Sequence, residues 1–226
     1  MSIEEIEIPK YSLGEELWNA ISHGLGALFG IVALILLLTK AIPTGDPVTI
    51  IASIFYGVSI IVLFTISCVY HSLGKNNGKR VLRILDHNTI YFLIIGSYTP
   101  YTLIALRPYD IWGWGKGVVA YTIFTTCLVI CIIGIIFNSI DIKKYAWLSM
   151  LCYIIAGWVI IVAIFALWNI LGIVGSWLLL SAGIVYTLGA IIYGYGKKGK
   201  YIHTIWHFFV LIAAMLMFFS IFLFVL

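Results

Sequence analysis

The sequence predicts an all-α integral membrane protein, a bundle of seven transmembrane helices. Three observations predict it. Of 226 residues, 63% are hydrophobic and only 10% charged, and mean hydropathy is +1.12, more apolar surface than a water-soluble chain of this size can hide. Seven segments reach the roughly 20 apolar residues that a helix needs to cross the hydrocarbon core. Lys and Arg alternate sides when the loops between those segments are numbered.

Taken in order, the spans are 17–39, 48–71, 84–106, 117–138, 145–168, 174–195 and 202–226. The first ends at a turn holding Pro43, Gly45 and Pro47, and the second at Gly74 to Gly78. Span 3 stops before Pro108; inside it, Gly96, Ser97 and Pro100 predict a kink whose freed carbonyls need partners. The polar run Asn138 to Lys144 closes span 4. Only Asn169, Gly172 and Gly175 divide span 5 from span 6, and GYGKKGK precedes span 7. There is no internal repeat, linker or second domain, so residues 1–226 are expected to form one domain. The opening MSIEEIEIPKYSLGEEL is acidic and amphipathic, unlike a signal peptide; residues 1–15 are expected as a short cytoplasmic segment.

The N-terminus and the 2–3, 4–5 and 6–7 loops carry Lys10, Lys75, Lys79, Arg80, Arg83, Lys143, Lys144, Lys197, Lys198 and Lys200. The other side has Lys40, Arg107 and Lys116. The positive-inside rule then places the N-terminus in the cytoplasm and the C-terminus outside a cell (plasma) membrane. The charge of +4 therefore reports orientation and not nucleic-acid binding. Cys68, Cys127, Cys131 and Cys152 lie in apolar segments, show no disulfide or zinc-ribbon spacing, and are read as small hydrophobes. Trp112, Trp114, Tyr145 and Trp206 are expected in an aromatic belt.

All five histidines fall at the cytoplasmic ends of these spans: His23, His71, His87, His203 and His207. Glu16, Asn19, Ser67 and Asp86 share that level. One such residue near an interface is commonly just wet, but five of five on one face is a pattern. His203 and His207 stand i, i+4, so both rings leave one face of span 7 and can share a metal. Ser67 and His71 have the same spacing on span 2. Two imidazoles from span 7 and one from span 2 make a three-nitrogen set, the arrangement of catalytic zinc with one open position. Asp86, at the start of span 3, is placed to orient a metal-activated water or take its proton, with Ser67 as hydrogen-bond donor. Glu16, Asn19 and His23 line one flank of span 1, either as outer support for the site or as a packing network. His87 follows Asp86 and is expected to point elsewhere, toward the interface.

The blocks ELWNAISHG, SCVYHS, LDHNTIYFLIIGSYTPY and HTIWHFFV together resemble the signature of bacterial hemolysin III proteins, within the progestin and adipoQ receptor group, over about Glu15 to Val210. The resemblance implies a seven-helix membrane protein with a cytoplasmic N-terminus. It also implies Zn2+ near the inner leaflet on His71, His203 and His207, with Asp86 beside it through water and Ser67 lining the site. Relatives in the group include hydrolases of ceramide-like lipid amides. Many relatives carry a further histidine where this chain has Met217, about three turns deeper than His207 and out of reach of the same metal. The expected function is a zinc-dependent hydrolase of lipid amides or esters, with membrane lipids as partners. The alternatives are a membrane-state sensor or ion transporter with a structural metal, and a cytolysin, for which the family name alone speaks. No soluble partner, nucleic acid or oligomeric state is signalled.

Overall fold

A computed structural model describes residues 3–195 and 199–226. Lys197 and Lys198, counted above among the basic loop residues, lie outside the described residues.

Helix α1 is Leu13–Ala41, opened by a capping box in which Ser12 Oγ accepts from the Glu15 amide and the Glu15 carboxylate accepts from the Ser12 amide. It starts before residue 17 because a capped amphipathic turn extends a helix past its apolar stretch. Helix α2, Pro47–Ser72, begins at Asp46, whose carboxylate accepts from the amides of Val48 and Thr49. Asn76 likewise caps α3, Asn77–Thr99, through the Lys79 amide, so α3 begins well ahead of residue 84. Pro100 has no N–H, and the expected kink takes the form of a wider π-helical turn over Pro100–Leu106. The Gly96 carbonyl that Pro100 leaves free accepts from the Thr99 hydroxyl at 2.7 Å. Helix α4 is Val118–Ile140 and α5 is Ala146–Trp158; a 3₁₀ turn, Val159–Ala163, leads into α6, Ile164–Tyr195, and α7 is Ile202–Phe224.

Among the described residues, six helical stretches are long and apolar enough to cross a membrane. Leu25, Leu28, Val32 and Ile35 of α1 stand exposed on the outside while polar groups are held within, the inversion expected of a chain solvated by lipid. The protein is a multi-pass membrane protein. The longest stretch, Ala146–Gly194, has 49 residues, about 74 Å of helix at 1.5 Å per residue, more than twice the hydrocarbon thickness. Gly172 breaks it, with φ 67° and ψ −179°, a conformation open to glycine and costly for other residues. Near its start the Ser149 carbonyl accepts from Tyr91, and just past the break the Gly175 carbonyl accepts from Ser220 of α7.

Helix α1 packs between α2 and α7, α2 also contacts α3, and α6 contacts α7. One end of the molecule gathers the start of α1, the end of α2, and the starts of α3 and α7. The N-terminal segment lies over that end: Ile6 is buried, its carbonyl accepts from Arg80, and Glu7 pairs with Lys143 at 2.7 Å. The far end is tied by Arg107 to Asp46 at 3.1 Å and by Lys40 Nζ donating to the Phe222 carbonyl.

Candidate metal centre

His71 at the end of α2 meets His203 and His207 at the start of α7, beside the first turns of α1. His71 Nε2 lies 3.2 Å from His203 Nε2, which lies 3.0 Å from His207 Nε2. One ligand atom from each of the three falls within 4.8 Å of the others. Two nitrogens at zinc-like distances from a tetrahedral ion stand about 3.3 Å apart, so the cluster has the spacing of a ligand set.

The rings are also oriented as ligands. His71 Nδ1 donates to Glu16 Oε2 at 2.6 Å, and His207 Nδ1 donates to the Asn19 carbonyl at 3.2 Å. A carboxylate and a carbonyl only accept, so each Nδ1 carries the proton and each Nε2 turns a lone pair inward. The Asn19 side chain ties the same level together, since its Oδ1 accepts from Thr204 at 2.6 Å. Of the three span 1 residues, Glu16 and Asn19 contact the clustered histidines directly. His23 does not join the donor set: its ring stacks face-on against His207 at 3.6 Å and edge-on against Phe64.

Ser67 and Asp86 line one cavity of about 480 Å³ with His23, His203 and His207. The Ser67 hydroxyl is buried and has no hydrogen-bond partner among the described residues, and a donor left in that state is available to a ligand. The Asp86 carboxylate sits 3.9 Å from His87 Nδ1. His87, expected to point away, lines this cavity as well, its Nδ1 2.9 Å from the Arg83 carbonyl; the wide mouth of the cavity takes in both consecutive residues. Trp206, expected in an aromatic belt, is half-buried on the same wall. Cys68 stays outside the cluster, and all four cysteines are free.

Two functional neighbours are invisible to spacing arguments. Lys79, counted above as a loop cation, is buried; its Nζ reaches Glu16 Oε1 at 2.5 Å and donates to the Leu73 carbonyl at 2.9 Å. Glu16 thus bridges Lys79 and His71. Tyr11, from the N-terminal segment, stacks on His203 with ring centroids 5.1 Å apart. Burial, then the neighbouring Tyr193 and Tyr70 phenols, push its hydroxyl far above the usual tyrosine range, which keeps it neutral over the site. No periodic pattern marks Tyr11, and the one hint for Lys79 is its position in the first turn of a capped helix.

A family profile described as Haemolysin-III related matches residues 11–218. The protein named Hemolysin-3 of Bacillus cereus is 41% identical over 212 residues, 94% of this chain and 92% of that protein. A Hemolysin-3 homolog of Bacillus subtilis (strain 168) is 36% identical over 211 residues, 93% of this chain and 94% of its own.

Proposed function

We propose, from the premise that the chain belongs to the haemolysin-III related family, that it is a zinc-dependent hydrolase of lipid amides or esters in the plasma membrane. In this reading residues 1–226 form one domain. The stretch broken at Gly172 counts as two spans, which makes seven, and the basic loops put the histidine end at the cytoplasmic leaflet. The observation that carries the proposal is the clustering of three Nε2 atoms, two of them with the opposite ring nitrogen held by an acceptor, beside a cavity lined by His203, His207, the Asp86 carboxylate and the Ser67 hydroxyl.

His71, His203 and His207 would hold the ion, with Glu16 and Asn19 fixing two of the rings. Zinc bound there would supply Lewis-acid activation of water near neutral pH. Asp86 accepts the proton of the attacking water as its oxygen bonds to the acyl carbon, and Ser67 donates to the carbonyl oxygen as charge develops on it. The carbon–nitrogen or carbon–oxygen bond then breaks as Asp86 passes the proton to the leaving group. Tyr11 over His203 keeps bulk water from that side.

Metal analysis of detergent-purified protein is the test. About one zinc per chain is expected, with loss of metal in His71→Ala, His203→Ala and His207→Ala. Release of fatty acid from a ceramide-like amide should vanish in Asp86→Asn while the zinc content stays. Retention of metal by His207→Ala overturns the reading. The name of the Bacillus cereus relative is what speaks for a lytic role; zinc-independent dye release from vesicles would favour that role instead.

A further inference from the structure

The cavity that holds the histidines is lined by three cations, Lys10, Arg83 and Lys143, and by one carboxylate, Asp86. The cations come from three separate elements: the N-terminal segment, α3 and the turn between α4 and α5. Arg83 is the informative one. Its Nε is shielded from solvent and has no hydrogen-bond partner among the described residues. It also lines a neighbouring hollow of about 640 Å³, where Lys143 and Lys144 are balanced by Glu5, Glu7 and Asp141, so its side chain forms part of the wall between the two. A buried guanidinium N–H without an acceptor is costly, and planar guanidinium groups suit phosphate and carboxylate oxygens. Lys143 is partly neutralised by Glu7 at the rim; Lys10 is exposed at the mouth. Deeper in, the cavity wall turns apolar through Leu63, Ile90 and Val210, residues that also line a second hollow of about 110 Å³.

We infer that the cavity takes an amphiphile with an anionic head: a phosphate or carboxylate seated on Arg83 and Lys10, with its acyl chain directed along the apolar wall. The inference rests on the hydrolase reading for its substrate class, and it adds a preference for a charged head within that class.

Native mass spectrometry of the full chain in detergent tests it with two matched probes, 1-oleoylglycerol-3-phosphate and 1-oleoylglycerol. The phosphate lipid should bind about tenfold more tightly, the size of one charge-assisted contact. Arg83→Gln should erase the preference, and Lys10→Gln, on an exposed side chain that does not bear on folding, should reduce it about threefold. Displacement of the lipid by millimolar inorganic phosphate supports the anion site with free phosphate as its source; no displacement supports a lipid headgroup. Equal binding of the two lipids by the wild type, or unchanged preference in both variants, overturns the inference. Zinc content, measured on the same samples, judges the metal reading separately, since neither variant touches a histidine ligand.

Discussion

Glu16 carries two contacts that pull on it from opposite sides, the His71 imidazole and the Lys79 ammonium. Replacing it with Gln keeps the shape but removes the charged acceptor behind a ligand ring. Metal affinity should fall about 10–100-fold, read by competition with a chelator of known affinity. Lys79→Met leaves Glu16 without its counter-ion in a site where the lysine is only 2% exposed. It should cost about 3 kcal/mol of stability, and adding Glu16→Gln should recover part of that loss, which a double-mutant cycle in chemical denaturation would resolve. At this scale the ligands were legible, because i, i+4 spacing and a shared helix end are sequence properties. Lys79 and Tyr11 were not. Lys79 meets a carboxylate 63 residues away, and nothing local to a lysine in a basic turn indicates which charge it will find.

Two glycines separate steric from conformational need among the helices. A Cβ on Gly96 would stand 2.1 Å from Ser59 Oγ, because α2 and α3 approach closely there. A Cβ on Gly172 would meet nothing within 4 Å, yet its φ is +67°. Gly96→Ala should therefore cost about 1–3 kcal/mol by overpacking. Gly172→Ala should cost about 1–3 kcal/mol through backbone strain alone. Thermal unfolding of each in detergent should rank them, and Ser59→Gly should lessen the penalty at Gly96 but not at Gly172. Hydropathy located the apolar regions, although Ala146–Gly194 forms one stretch in the structure, broken at Gly172. It placed the starts of α1 and α3 too late, since caps such as Ser12 and Asn76 extend a helix with residues that a hydropathy window scores as loop.

For the molecule as a whole, the far end is held by few polar contacts, and Asp46 is central to them. The Thr49 hydroxyl, then the amides of Thr49 and Val48 and the Arg107 guanidinium, hold its carboxyl below the usual aspartate range. A depressed folded value means that the contribution is present above the unfolded value of about 3.9 and is lost as pH falls through the lower folded value. Melting temperature in detergent should fall on acidification below about pH 4, and Asp46→Asn should flatten that limb. Global arrangement was the least legible part. Composition and spacing carry the all-α membrane class, but that α1 sits between α2 and α7 depends on packing between surfaces far apart in the chain.

That neighbour order has a consequence for how the protein is made. One ligand histidine precedes the other two by 132 and 136 residues. At ordinary translation speeds His71 waits roughly 7–26 s for its nearer partner. Throughout that interval the nascent chain carries only one of the three clustered imidazoles, a weak lure for any ion. If the cluster holds an ion, as proposed, capture waits until α7 docks, so a bound ion would certify a finished bundle, and a chain cut short before residue 203 would leave the ribosome uncertified.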